Sequence, residues 1–122
     1  MDDNFVISKE SLLTRAINQL SWYKSSGIIN SDNQINDGLD DNCKNNQEYE
    51  WTYNQGALLP GLALLKITKK DDYATFGVDL INAFIKKFNY GVISEVCDDV
   101  NMCDKDQNLF KGIFMQHLIV FY

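Results

Sequence analysis

The chain of 122 residues has one proline, one histidine and only 11 basic residues against 17 acidic ones, for a formal net charge of -6. With a single proline, little opposes helix formation. An acidic surface repels phosphate backbones, so the composition argues against nucleic-acid binding. No apolar run approaches the ~20 residues that a membrane-spanning helix needs. The start of the sequence, residues 1–11, is polar and acidic and does not resemble a secretory signal peptide.

What the chain does contain is enough apolar material for a packed core. Hydrophobic residues make up 45% of the sequence and aromatic residues 12%, which is too much for a disordered chain. At this length the sequence predicts one domain at most.

The three cysteines favour a short disulfide loop. Cys97 and Cys103 lie six positions apart in the polar segment CDDVNMC, and a disulfide between them would stabilise the fold by roughly 2 kcal/mol. A zinc site is the competing interpretation, but the chain offers only these cysteines, Cys43 and His117, at no finger-like spacing. Free thiols are a third alternative. Cys43 is left over, as a reactive thiol or with a partner elsewhere.

Apolar stripes at three- and four-residue spacing predict four helices and an all-α fold. The helices cover about Lys9–Tyr23, Tyr53–Thr68, a third from Asp71 or Asp72 to about Asn89, and a fourth from about Asp106 to the end of the chain. Ser8 is a suitable N-cap for the first helix. Pro60 falls inside the second, where it is harmless in a first turn but kinks a helix deeper in.

Residues 29–50 are rich in Asn and Asp, which favour turns because their short side chains bond to nearby backbone. Asp37-Gly38 predicts a small hairpin between Ile35 and Leu39. A loop of this length in a compact domain is usually functional or mobile. Residues 91–96 are predicted to be a short extended segment that leads into the cysteine loop.

Three segments in order resemble one known family. They are Asp37-Gly38 followed by Cys43, EWTYNQGALLPGLALLKIT at 50–68, and GVISEVCDDVNMCDKDQNLFKGIFMQHL at 91–118. Their content and spacing are similar to the fungal glycoside hydrolase family 76, the endo-1,6-α-mannanases and related cell-wall transglycosidase-like proteins. The resemblance covers about residues 10–118. Gln116, where the family usually has a basic residue, and Pro60, where a glycine is common, depart from it.

The resemblance implies an (α/α)6 barrel, of which this chain would supply about four of twelve helices. Residues 1–122 would then be part of one catalytic domain, in a protein that is secreted or at the cell surface. It also implies α-mannan as the binding partner, no cofactor, and retaining chemistry with two carboxyl groups. In the family these come from an adjacent aspartate pair upstream of the matched segment. Asp40-Asp41, Asp71-Asp72 and Asp98-Asp99 do not fall in that context, so no catalytic residue is assigned here.

Five residues are candidates for binding substrate: Trp51, Tyr53, Asn54, Gln55 and Glu95. Aromatic faces stack on sugar C–H surfaces and amides bond hydroxyl pairs, so a loop-to-helix junction with this composition suits a mannose subsite. The alternative is that Trp51 and Tyr53 pack the barrel wall while Asn54 caps a helix. Glu95 has an equal alternative as a structural salt bridge. His117, on an apolar stripe, is predicted to be a hydrogen-bonded core residue.

The resulting hypothesis is an internal part of a mannan endo-1,6-α-mannosidase, inactive by itself because the catalytic pair is missing. The ordered match of the three segments motivates this hypothesis, whereas the polar start and the end in mid-stripe at Phe121-Tyr122 motivate the alternative. The alternative is a non-enzymatic truncated paralogue, or a helical sugar-binding or interaction module.

Overall fold

Five helices account for the regular structure of residues 8–69, 72–88 and 91–122, which are the residues that the computed structural model describes. They are α1 (Lys9–Ser25), α2 (Thr52–Ala57), α3 (Leu59–Lys69), α4 (Tyr73–Ile85) and α5 (Gln107–Phe121). Within those ranges the only β-type pairing is two isolated bridges in the loop before α2. The prediction of an all-α chain is confirmed.

Helix α1 follows the sequence prediction and continues two residues beyond it. The Ser8 hydroxyl accepts a hydrogen bond from the Ser11 N–H at 3.1 Å, which satisfies one of the free N–H groups of the first turn. Leu20 is buried in a cluster with two leucines of α3, Leu62 and Leu65. The helix is followed by Gly27 in the left-handed region, at φ 84°.

The single helix predicted over Tyr53–Thr68 is two helices, and this prediction is wrong in that respect. Helix α2 ends at Ala57, Leu58 forms a turn, and α3 begins at Leu59 with Pro60 as its second residue. Proline has no N–H to donate to the carbonyl four residues back, and its ring collides with that carbonyl in a continuous helix. In the first turn of a new helix neither restriction applies, so the chain restarts there.

Helix α4 begins as predicted and ends earlier. The Asp72 carboxylate accepts a hydrogen bond from the Thr75 N–H at 3.1 Å. The helix ends at Ile85, whereas the sequence predicted an end near Asn89, which lies outside the described residues together with Asp71. After Ile85 the backbone N–H groups of Lys87 and Phe88 bond to carbonyls three residues back, so the α-helical spacing is lost.

The core lies where α3, α4 and α5 meet. Leu59, Leu62, Leu80, Phe84 and Phe114 are each at most 1% exposed. Phe84 and Phe114 contact each other edge to face, with ring centroids 5.4 Å apart. Helix α5, predicted from about Asp106 onward, is confirmed, and it packs against both α2 and α3.

The loop before α2 contains two consecutive turns with the same hydrogen bonds. Asn30 Oδ1 accepts from the N–H groups of Asp32 and Gln34 at 3.0 Å, and ten positions later Asp40 Oδ1 accepts from Asn42 and Lys44 at 2.9 Å. Each turn has a left-handed residue in its fourth position, Asn33 or Cys43. These are side-chain-capped turns, in which the short polar side chain replaces a backbone acceptor.

The two turns replace the hairpin predicted at Asp37-Gly38. Antiparallel bridges pair Ile29 with Ile35 and Leu39 with Asn45. Asp37 and Gly38 therefore connect one turn to the next, and Ile35 and Leu39 do not pair with each other. The hairpin prediction is wrong because the Asn30 and Asp40 side chains close each turn locally.

Candidate functional site

A buried carboxylate caps the N-terminus of α2. The Glu95 side chain accepts a hydrogen bond from the Thr52 N–H at 3.2 Å and another from the Thr52 hydroxyl. Glu95 is 3% exposed and Thr52 is fully buried. A carboxylate at a helix N-terminus satisfies a free N–H group and complements the positive end of the helix dipole.

Asp98 and Lys111 hold Glu95 in that position. The Glu95 N–H donates to Asp98 Oδ2 at 2.6 Å, and Lys111 on α5 forms an ion pair with the same oxygen. The hydrogen bond from Lys111, with that from the Glu95 backbone, lowers the pKa of Asp98 from its ordinary value. Lys111 thus connects α5 to the loop that carries Glu95.

The segment that contains Asp98 is closed by a disulfide. Cys97 and Cys103 are bonded, with Cα atoms 4.9 Å apart, and Cys97 is buried. Both sulfur atoms are thereby unavailable to a metal ion, so they do not form the zinc site weighed in the sequence analysis. Cys43 is an exposed free thiol.

Trp51 and Glu95 line one cavity of about 250 Å³. The Trp51 ring makes edge contacts with Tyr49 and Phe110, both at 5.4 Å between centroids. The remaining lining residues come from the segment before α2, the end of α4 and the cysteine loop: Tyr49, Glu50, Phe84, Lys87, Phe88, Ser94, Val96 and Asp99. The cavity therefore combines an aromatic wall with carboxylates and one lysine ammonium, which suits a ligand with apolar faces and many hydroxyl groups.

Tyr53, Asn54 and Gln55 do not belong to that cavity as far as the described residues define it. The Tyr53 ring packs on Phe110 at 4.4 Å, and its hydroxyl donates to Asp37 Oδ1 at 3.2 Å. Burial, and then the negative charge of Asp37, raise the pKa of Tyr53. Tyr53 thus ties α2 to the loop that precedes it.

The two amides beside Tyr53 also bind this loop. Asn54 donates to the Asn36 carbonyl at 3.1 Å, and the Gln55 amide both accepts from and donates to the backbone of Ile35. Both side chains are buried. Two of the five predicted residues, Trp51 and Glu95, thus line the same cavity. The other three, Tyr53, Asn54 and Gln55, contact the loop that precedes α2. That all five bind substrate stays a prediction.

Gly56 of the same motif allows α2 to approach α5. A Cβ atom at this position would lie 3.0 Å from the Phe114 Cα atom and 3.2 Å from its ring. Because the nearest atom is backbone, a larger residue would force the two helices apart. His117, one turn further along α5, is partly buried, and no hydrogen-bond partner for its Nδ1 atom occurs among the described residues. The hydrogen bond predicted for His117 is therefore not found at this nitrogen.

Among the residues of the cavity that sequence reasoning missed are Tyr49 and the charged residues Glu50, Lys87 and Asp99. Glu50 and Lys87 form an ion pair across 37 positions of sequence, so no local pattern could have paired them. Tyr49 and Glu50 do stand directly before Trp51, and this adjacency was the available signal.

The fold and the site agree with a carbohydrate-active protein. Residues 6–121 match the model of glycosyl hydrolase family 76. The chain therefore belongs to glycosyl hydrolase family 76.

Several relatives are similar over most of this chain. It is 40% identical over 82 residues to the mannan endo-1,6-alpha-mannosidase DCW1 of Saccharomyces cerevisiae, an alignment with 66% of this chain and 18% of that protein. It is 29% identical over 107 residues to DCW1 of Candida albicans, covering 80% and 24%, and 31% identical over 97 residues to S. cerevisiae DFG5, covering 75% and 21%. The chain thus spans about a fifth of the length of these relatives. No solved structure matches it.

Over the described residues, none of the helices has both the length and the apolarity to cross a bilayer.

Proposed function

We propose that this chain forms part of a glycoside hydrolase domain that acts on α-1,6-mannosyl linkages of fungal mannan, and that the Trp51 cavity binds a mannose unit. The family match and the names of the relatives support the substrate class. The observation that carries the assignment to this cavity is the Trp51 ring beside charged groups in a space of about 250 Å³. An aromatic ring offers a surface to sugar C–H groups, while carboxylates and an ammonium bond to the hydroxyls.

The catalytic carboxyl pair belongs, in this proposal, to a part of the domain outside this chain. Retaining hydrolysis needs two carboxyl groups about 5–5.5 Å apart, one on each side of the bond to be cleaved. Asp2-Asp3 lies outside the described residues, and each of the other three adjacent aspartate pairs has a member with another role. Asp40 closes a turn, Asp72 caps α4 and Asp98 pairs with Lys111.

Exposed apolar side chains support the idea that residues 1–122 are part of a larger helical barrel. Leu64 and Ile67 on α3 are 64% and 75% exposed, and Ile119 on α5 is 72% exposed. Large apolar residues in such positions are normally covered by other elements. In the (α/α)6 barrel implied by the family, neighbouring helices of the same domain would cover them. The intact protein would then act on mannan outside the cell, as a secreted or surface-bound enzyme.

Fluorescence of a single tryptophan tests the mannose site. Trp22→Phe removes the only other tryptophan, which is 48% exposed on α1, and leaves Trp51 as the reporter. Titration with α-1,6-mannobiose should shift the Trp51 emission, whereas maltose at the same concentration should not. A Trp51→Phe variant, which retains Trp22, should show no response. Absence of any response to millimolar mannobiose would contradict the assignment of this cavity.

Hydrolysis assays test where catalysis resides. The purified chain should release no reducing sugar from α-1,6-linked mannan. Robust cleavage would mean that the catalytic groups lie in this chain after all.

A second candidate function is sugar binding without catalysis, which the same cavity favours equally. Mapping the transcript that contains this reading frame separates the two. An upstream extension that encodes an adjacent aspartate pair would support the enzyme, and a transcript that starts at Met1 and stops after Tyr122 would support a non-enzymatic paralogue or interaction module.

A further inference from the structure

A second polar cavity adjoins the Trp51 cavity. It measures about 210 Å³ and is lined by Asp32, Gln34, Glu50, Ala83, Lys86 and Lys87. Glu50 and Lys87 line both cavities, so the two spaces lie on either side of the same pair of side chains. A ligand with two linked units can therefore occupy both spaces while contacting this pair.

Glu50 and Lys87, which line both cavities, are held in place by the loop before α2. Glu50 Oε2 pairs with Lys87, and Glu50 Oε1 accepts a hydrogen bond from Asn30 Nδ2 at 2.9 Å. Asn30 also closes the first capped turn, which carries Asp32 and Gln34. The second cavity is thus built between the first capped turn and the end of α4, on groups whose positions are fixed by hydrogen bonds.

Gln34 provides an independent sign of a polar occupant. The residue is 2% exposed, and its Oε1 atom has no hydrogen-bond partner among the described residues. Its Nε2 atom makes one long bond, 3.4 Å to the Asp32 carbonyl. Buried amide oxygens normally have a partner, because an unsatisfied one costs free energy. Because Gln34 lines the second cavity, a hydroxyl group bound there is a candidate partner for this amide.

The side chains that line the second cavity indicate which class of ligand it binds. Carboxylates accept hydrogen bonds from hydroxyls, lysine ammonium groups donate to them, and an amide does both. None of the described residues that line this second cavity is aromatic, in contrast to the first. The second cavity therefore lacks a surface on which a sugar ring can stack. A sugar unit would bind there most tightly when it is linked to another unit already bound beside Trp51.

We infer that the second cavity is a subsite for the next sugar unit of an α-1,6-linked mannose chain whose neighbouring unit lies in the Trp51 cavity. This inference rests on the proposed function, because the first unit must bind beside Trp51. Asp32 and Lys86 contact only the second unit, and Glu50 with Lys87 separates and orients the two.

The test compares mannose with α-1,6-mannobiose in the Trp22→Phe background, by Trp51 fluorescence. Lys86→Ala and Asp32→Ala each remove a group that lines only the second cavity. Lys105→Ala removes an exposed lysine that lines neither cavity and makes the same change in charge as Lys86→Ala. Circular dichroism verifies that every variant retains its helices.

We expect mannobiose to bind more tightly than mannose to the parent. The Lys86 and Asp32 variants should bind mannobiose about tenfold more weakly, the loss expected for one hydrogen bond to a charged group, with mannose binding unchanged. Lys105→Ala should match the parent. Equal affinity for mannose and mannobiose, or unchanged mannobiose binding in both variants, would overturn the second subsite and leave the Trp51 site intact. No response to either sugar would overturn both assignments.

Discussion

The side-chain amide of Gln55 bonds to both backbone groups of Ile35. Its Oε1 atom accepts from the Ile35 N–H at 2.9 Å, and its Nε2 atom donates to the Ile35 carbonyl at 2.7 Å. Both residues are 1% exposed. One side chain thus does for this loop what an adjacent strand does in a sheet, satisfying a buried N–H and a buried C=O together.

Replacing Gln55 with alanine should destabilise the chain by about 1–3 kcal/mol, because two buried backbone groups lose their partners. Urea unfolding followed by circular dichroism measures the change. Gln116→Ala, at an exposed position of α5, is the control and should alter the free energy of unfolding by less than about 0.5 kcal/mol. Equal stability of the two variants would mean that the Gln55–Ile35 pair contributes nothing.

Gly56→Ala should lower stability by about 1–3 kcal/mol, since the new Cβ atom would meet the Phe114 backbone at 3.0 Å. The matched substitution is Gly112→Ala on α5, where an added Cβ meets no described atom within 4 Å. There the higher helix propensity of alanine should stabilise the chain by up to about 1 kcal/mol. Thermal melting of both variants checks the prediction, and a melting temperature that rises in Gly56→Ala would contradict the close packing of α2 on α5.

Removing the disulfide with Cys97→Ser and Cys103→Ser should reduce the free energy of unfolding by about 2 kcal/mol, the value for a loop of this length. Adding dithiothreitol to the parent protein should produce the same loss. Cys43→Ser changes an exposed free thiol and should leave stability nearly unaltered in oxidising buffer. Equal urea midpoints for parent and double variant would show that the bond is not formed in solution.

Asp98 makes stability depend on acid pH. Its pKa is lowered in the folded chain, chiefly by Lys111, so its contribution is complete above the ordinary value of 3.8 and is lost as pH falls through the lower folded value. The parent should therefore lose stability below about pH 4 more steeply than Asp98→Asn. Urea midpoints between pH 2.5 and 6 provide the comparison. The control is Asp99→Asn, at an exposed neighbouring position, which leaves the Asp98–Lys111 ion pair in place.

The existence of α1, α4 and α5 could be predicted from the sequence because their apolar residues recur at helical spacing over three or more turns. The loop at 29–50 was not predictable in the same way. Its hydrogen bonds depend on Asn30 and Asp40 closing equivalent turns, and many other Asn and Asp residues nearby offered the same chemistry.

The candidate site was predicted only in part, for a geometric reason. Consecutive residues of a helix point about 100° apart, so Tyr53, Asn54 and Gln55 cannot all face the cavity beside Trp51. The contact of Thr52 with Glu95 spans 43 positions, and nothing in either neighbourhood specifies it. Residues that are contiguous in sequence therefore need not line the same cavity, and substrate binding by all five candidates stays a prediction.

The way in which α2 is held has a consequence for the order of folding. A helix of six residues is too short to persist by itself in water, and its fixed contacts come from Ile35, Glu95 and Phe114. Two of these partners are synthesised after it. The full set of contacts that hold the TYNQG segment can therefore form only after the chain has been synthesised as far as α5.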